Sequence, residues 1–159
     1  MIHIHALWVG KTEGGFVGEG AAFYQKRIRP MAQLSLHEIK PQGHSGRPGE
    51  TVRQMESDAL LQRLGQVGKA YVVLLDERGK TPTSREMAEK MAKWAVEGEG
   101  QVVFVMGGAF GVDERVRQRA NTVLGLSALT FPHQLVRVIF LEQIYRCLTI
   151  QAGHRYHHD

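Results

Sequence analysis

At 159 residues, with 43% apolar and 23% charged side chains, the sequence has the length and composition of one ordinary globular domain, read here as a single domain over 1–159. Twenty Lys and Arg against 16 Asp and Glu give a formal charge of +4, which mildly favours a polyanionic partner without establishing one. The single cysteine, Cys147, excludes an internal disulfide framework and any CxxC metal knuckle, and among Ile144, Leu148 and Ile150 it reads as a small buried hydrophobe.

The opening MIHIHALWVGK is too short and polar for a signal peptide. Its residues after Met1 alternate and read as a strand ending at Gly10. A Gly-rich turn follows, then a helix over 21–28, stopped at Arg29 because the residue before Pro30 disfavours the α region. LSLHEIK reads as a second strand. Residues 41–50, PQGHSGRPGE, hold three glycines and two prolines and are expected to form a mobile flap presenting His44 and Arg47. Thr51 and Gln54 match a capping box, and Val52, Met55, Ala59, Leu60, Leu61 and Leu64 stripe the helix it starts.

YVVLL, residues 71–75, is the continuous apolar run of a strand covered on both faces, and DERGKTP turns the chain. Asp76 and Glu77 read as surface carboxylates at that turn. Thr83 and Glu86 form a second capping box, opening a helix to about Glu97. QVVFVM is another buried strand. GGAFG follows it, then a short helix whose first residues, Asp113 and Glu114, oppose the positive helix end. SALTF reads as a strand and Pro132 as part of the first turn of a long terminal helix. About five strands and five helices alternate, which predicts an α/β fold with a parallel-rich sheet covered by helices on both faces.

Ligands in such sheets bind beyond the carboxyl ends of the strands, so GGAFG and the turn after SALTF are the places to look. Gly107, Gly108 and Gly111 follow GGxxG spacing, neither the dinucleotide fingerprint nor a Walker loop; a tight turn needing positive φ is the competing reading. The terminal helix is apolar nearly all round, and a second subunit is the economical candidate to cover it. Arg137, Glu142 and Arg146 interrupt that surface, with Glu142 and Arg146 spaced for an i,i+4 ion pair. The stretch 134–150 is too charged for a membrane span, and the cytoplasm is the expected location. His133 suits a ligand contact or a cap equally. In the tail AGHRYHHD, His154, His157 and His158 have only Asp159 as companion, so no metal is expected.

MGGAFG, a short helix and then LSALTFPHQLVRVIFLEQIYRCLTIQAGHRYHHD resemble the C-terminal half of the ribosomal large subunit methyltransferase H family, within the SPOUT class of trefoil-knotted methyltransferases. The resemblance is strong after residue 71 and loose before it. It implies an enzyme that uses S-adenosylmethionine to methylate N3 of a pseudouridine in large-subunit (23S) rRNA, in the context of the ribosome. It also implies a homodimer and a terminal helix threaded through a loop as a C-terminal trefoil knot. Carried over by motif, the cofactor lies against Leu75, Gly107, Gly108 and the run Ser127, Ala128, Leu129, Thr130, Phe131 and Pro132. Arg137, Glu142, Arg146, Tyr156 and His157 line the target-base side, with His133, Arg155 and His158 meeting RNA. His158 stands where relatives carry Arg or Lys, so its charge varies near neutral pH.

The alternatives are the same cofactor acting on tRNA, a non-catalytic RNA- or ribosome-binding dimer, and a metal-dependent hydrolase built on the tail. The intact GGAFG and SALTFP segments weigh against the second.

Overall fold

The apolar runs become the centre of one sheet. In the computed structural model, which describes residues 1–44 and 46–158, the strands are β1 (His3–Val9), β2 (Gln33–Ile39), β3 (Tyr71–Lys80), β4 (Gln101–Met106) and β5 (Thr122–Leu124). Their order is β2-β1-β4-β3-β5 and every pairing is parallel. A parallel sheet needs cover on both faces, and strand alternation provides two apolar sides for it. Ile4, Ala6, Trp8, Val73 and Phe104 meet α1 (Gly15–Ile28), α3 (Ser84–Glu97) and α5 (Leu135–Ala152). Leu7, Val9, Val72, Leu74, Val103 and Val105 meet α2 (Gly49–Val67) and α4 (Glu114–Arg119).

The Thr83 capping box forms as expected: Glu86 N donates to Thr83 Oγ1 at 3.2 Å and Thr83 N to Glu86 Oε2 at 2.8 Å. Asp113 caps α4, its side chain accepting from Arg115 N. Cys147 is fully buried, and burial pushes its thiol up to about 12, well away from nucleophilic range.

Four local expectations are corrected. Helix α1 begins at Gly15, earlier than residue 21, because tertiary approach outweighs the poor helix propensity of its glycines. A Cβ at Gly20 would stand 3.1 Å from Val138 Cγ1, so the glycine lets α1 lie directly on α5. Helix α2 begins at Gly49 after Pro48, and Thr51 lies inside its first turn with no cap to make. Strand β3 runs on through DERGK to Lys80 with an irregularity between Leu75 and Lys80, so Asp76 and Glu77 sit at the sheet's rim rather than in a free turn.

The fifth strand is Thr122–Leu124, not SALTF. Asn121 supports it by exchanging bonds with Val72, N to O and N to Oδ1, both at 2.8 Å. SALTF is a loop because Ser127 Oγ takes the Leu129 N–H at 3.0 Å, a local bond that competes with a ladder. Pro132 precedes α5, whose N-cap is Gln134. The apolar circumference of α5 is buried mostly within the chain, by α1 on one side, α3 on the other and the sheet beneath. No helix among the described residues is long and apolar enough to cross a membrane.

At the opposite end of the sheet from the carboxyl ends, three histidines share one face. His3 stacks on His5 with ring centroids 3.8 Å apart, and His37 Nε2 lies 3.2 Å from His5 Nδ1. Gln101 Nε2 donates to Lys69 O, which turns its Oε1 to accept from His5 Nε2 at 2.9 Å. His5 Nδ1 must therefore accept from His37 in the neutral pair. Burial holds all three below the usual 6.5, and mutual repulsion lowers His3 and His37 further, Arg63 adding to the latter. The unfolded chain then binds more protons, so stability is full above about pH 6.5 and falls as pH drops through it. Thermal midpoints measured from pH 7.5 to 5 should decline, and His37→Asn should flatten the decline. An unchanged slope in that variant would place its origin elsewhere.

Candidate functional site

Where β3 and β4 end, the chain opens a cleft of about 550 Å³. Its floor and sides come from Leu75, Asp76 and Glu77 of β3, Met106 of β4, the turn Gly107–Gly108, the loop holding Leu126, Ser127, Leu129 and Phe131, and Val136 of α5. The position follows the rule for open parallel sheets.

The glycines are present for space more than for dihedral freedom. A Cβ at Gly107 would stand 2.9 Å from the Gly111 carbonyl carbon, and one at Gly108 2.5 Å from Glu56 Oε1. Only Gly111 of the three has positive φ, +73°. The turn is therefore pressed between the cleft and helix α2 with bare backbone.

Two carboxylates face the cleft. Asp76 accepts from Arg78 and, at 2.6 Å, from Arg117 Nη2; the Arg78 hydrogen bond leads in holding its carboxyl well below the usual carboxylate range, burial opposing. Glu77 Oε2 accepts from Thr130 Oγ1 at 2.9 Å. Arg78, the cation lining the cleft, is spent on Asp76. Two carboxylates here face two guanidiniums, and both guanidiniums are engaged with Asp76. Such a surface suits a ligand with a flat apolar part and a positive centre.

Six of the expected cofactor residues line this cleft: Leu75, Gly107, Gly108, Ser127, Leu129 and Phe131. Ala128, Thr130 and Pro132 are exposed and do not line the cleft themselves, Thr130 reaching it only through its hydrogen bond to Glu77. Sequence reasoning missed Met106, Leu126 and Val136, whose only signal was adjacency to the motifs, and left Asp76 and Glu77 as surface carboxylates. His133 is exposed at the rim and its Nε2 donates to Val9 O at 3.2 Å.

Arg137 is placed apart from the other polar residues of α5. It is 0% exposed. Nη2 donates to Val9 O at 2.7 Å, Nη1 to Gly10 O at 2.9 Å and to Thr12 Oγ1 at 3.0 Å, and the guanidinium carbon lies 4.9 Å from the Trp8 ring centre. Burial lowers its pKa, with only the charges of Glu38 and Glu13 opposing. In this position it anchors the exit of β1 to the start of α5.

Glu142, Arg146, Tyr156 and His157 form one cluster. Glu142 Oε1 accepts from Arg146 Nε at 3.0 Å, Arg146 Nη2 at 2.5 Å and Tyr156 OH at 3.1 Å. Arg146 Nη1 donates to His157 Nδ1 at 3.0 Å, so the neutral ring carries its proton on Nε2. The Arg146 guanidinium also lies 4.9 Å from the Tyr156 ring centre. Burial opposes the charge of Arg146, and the bonds and charge of Glu142 more than offset it, raising its pKa. Burial, then bonds to Tyr24 and the charge of Glu142, raise Tyr156 well above an ordinary phenol. Tyr156 therefore stays protonated at neutral pH. Arg155 and His158 are exposed beside the cluster. No group of three or more His, Cys, Asp or Glu among the described residues is placed to hold a metal; Asp159, the tail's one acidic companion, lies outside them.

This arrangement matches a known family over nearly its whole length. The model for the family described as "Predicted SPOUT methyltransferase" matches residues 2–157. The chain belongs to the SPOUT methyltransferase family. Among SPOUT relatives, the ribosomal RNA large subunit methyltransferase H of Pelotomaculum thermopropionicum is 41% identical over 162 residues, covering 99% of this chain and 100% of the relative. That of Geobacter metallireducens is 43% identical over 153 residues, covering 96% and 97%. Among solved structures, a probable methylase family protein from Haemophilus influenzae superposes with TM-score 0.57 at 13% identity, covering 98% of this chain and 70% of that one. A probable methyltransferase from Bordetella pertussis gives 0.52 at 16% identity, covering 91% and 95%. These two share the α/β fold of this chain.

Proposed function

We propose that this SPOUT methyltransferase binds S-adenosylmethionine in the β3–β4 cleft and methylates N3 of a pseudouridine in large-subunit rRNA, as a homodimer acting on the ribosome in the cytoplasm. The observation that carries the reading is the cleft itself: a bare-backbone glycine turn, an apolar rim, and a wall whose arginines are engaged with Asp76 while Glu77 also faces the cleft. Those residues fit the cofactor, whose adenine is flat and neutral and whose sulfonium is cationic. The relatives named as large-subunit rRNA methyltransferases support the substrate.

The cofactor, when bound, supplies an electrophilic methyl group. Leu75, Leu126, Leu129 and Phe131 would hold its adenosine, and the Gly107–Gly108 backbone would pass close beneath it. The Glu142–Arg146–Tyr156–His157 cluster would hold the target base, Tyr156 as a phenol that orients rather than one that takes a proton. Orientation of this kind contributes roughly 7–11 kcal/mol where the reacting atoms are held in line. Arg155 and His158 would meet the RNA backbone.

The homodimer reading is supported by where these parts sit on α5. Val136 lines the cleft, whereas Glu142 and Arg146 lie about 9–15 Å further along the helix at 1.5 Å per residue, outside the cleft's lining. A second copy can bring its cluster to this cleft.

The test is methylation of ribosomes with the modified nucleotide mapped by mass spectrometry, alongside calorimetric titration with S-adenosylhomocysteine. Arg146→Ala should lower the rate at least ~100-fold, the scale of losing a transition-state charge contact, with S-adenosylhomocysteine affinity unchanged. Methylation confined to tRNA would replace the substrate. Absence of cofactor binding in folded dimer would favour a non-catalytic RNA-binding role.

A further inference from the structure

Helix α2 contributes nothing to the lining of the cleft, yet three of its consecutive residues touch successive points of the loop that does. Glu56 is 3% exposed, and its Oε1 lies where a Cβ on Gly108 would have to go, 2.5 Å away. Ser57, 0% exposed, accepts the Asp113 N–H on Oγ at 2.9 Å. Asp58 pairs with Arg115 Nη1 at 2.6 Å. One turn of helix thus braces residues 108–115 from the glycine turn to the start of α4.

Glu56 has a second attachment. Its Oε2 accepts the Gln42 N–H at 2.9 Å, and Arg47 Nη1 donates to Gln42 Oε1 at 2.9 Å and to Gln42 O at 3.3 Å. The segment expected to be a mobile flap is tied at Gln42 and Arg47, with Ser45 outside the described residues. The same segment leads into Gly49, where a Cβ would meet Phe110 Cδ1 at 2.6 Å. Residues 40–49 and the glycine loop therefore share a contact at each end, and the inner contact runs through one carboxylate. Oε1 of that carboxylate is buried and has no partner among the described residues. A buried acceptor is retained at a cost, and here it is retained against the wall of the cleft.

We infer that Glu56 is a positioning residue for the cofactor, holding Gly108 against the cleft and coupling that turn to Gln42 and, through it, Arg47. The inference rests on the cofactor reading of the cleft. Seating a ligand against Gly107–Gly108 fixes the turn, the fixed turn holds Glu56, and Glu56 holds the Gln42 amide. The Gln42–Arg47 pairing then becomes more ordered when the cleft fills, without touching what fills it.

The experiment follows amide exchange of Gln42 by NMR, with and without saturating S-adenosylhomocysteine, alongside calorimetry and steady-state kinetics. In the wild-type protein the ligand should slow Gln42 exchange. Glu56→Ala should speed that exchange, remove its response to ligand and weaken S-adenosylhomocysteine binding about tenfold, a size within measured couplings between connected sites. KM for S-adenosylmethionine should rise by the same factor with kcat held, whereas a fold merely weakened would lose kcat through its active fraction. Glu56→Gln keeps an acceptor for Gln42 and should restore affinity to within about threefold. If Glu56→Ala does not fold, Glu56→Asp, which keeps the charge and shortens the reach, should show the same changes several-fold smaller. Wild-type affinity in either folded variant, or Gln42 exchange indifferent to bound ligand, would overturn the inference. A wild-type protein that binds no S-adenosylhomocysteine would overturn the cofactor reading and the coupling together, while faster Gln42 exchange in Glu56→Ala would still establish the clamp.

Discussion

Gly108→Val should leave the protein folded but binding S-adenosylhomocysteine about one to two orders of magnitude more weakly than the wild type. The added Cβ would stand 2.5 Å from Glu56 Oε1 and 3.3 Å from Val9 Cγ1. Neither neighbour can yield: Glu56 is buried in helix α2 and Val9 ends β1, an internal strand held between β2 and β4. The turn must therefore swing into the cleft it lines. Overpacking of this kind costs about 1–3 kcal/mol, and at 1.4 kcal/mol per decade the affinity should fall roughly 10- to 100-fold. Because Gly108 does not have positive φ, Gly108→Ala separates space from dihedral freedom and should show a reduced form of the same defect. Titration of both variants checks this. Unchanged affinity in Gly108→Val would remove the glycine turn from the binding site.

Arg137→Met is expected to have the largest effect on stability. The substitution keeps most of the apolar stem over Trp8 and removes donors from Val9 O, Gly10 O and Thr12 Oγ1, of which Val9 O keeps His133. Hydrogen bonds from a charged donor contribute about 1.5–3 kcal/mol each, and the buried carbonyl left behind costs further. Methionine avoids the desolvation cost of burying a charge, which offsets part of this, and a net loss of about 3 kcal/mol lowers the thermal midpoint by roughly 6–12 °C in a chain of this size. Thermal unfolding followed by circular dichroism measures it. If the midpoint held and methylation vanished, Arg137 would act on substrate rather than on the fold, as its place among the charged residues of the terminal helix first suggests.

What was legible in the sequence divides along physical lines. YVVLL and QVVFVM declared themselves because a strand buried on both faces must be apolar without interruption, and Thr83–Glu86 because both halves of its box are side chains. Helix α1 was read too short, since its glycines argue against helix until α5 is known to lie on them. SALTF was misread because its alternation satisfies a strand, while the Ser127 side chain turns the backbone locally. For the site, the glycine turn and the 127–131 loop were visible as motifs, and their alternation picked three lining residues of that loop from its neighbours only once the loop was seen. Arg137 and Arg146 look alike in a string of letters. One is sealed beneath the end of β1 and the other reaches Glu142 and His157 at the surface, a difference set by their rotation about α5. The brace from α2 had no signal at all, because nothing local relates Glu56 to Gly108.

The strand order also governs when the molecule can come into being. His3 pairs with Gln33 on one side and Gln101 on the other, so the strand synthesised first is an internal one and waits for a neighbour that leaves the ribosome much later. The carbonyls at the end of that strand wait longer still, for Arg137. Contacts so distant along the chain place folding toward the slow end of the range for single domains. A nascent fragment truncated before β4 has a half-built sheet with an open apolar edge, and the cleft exists only in the finished polypeptide.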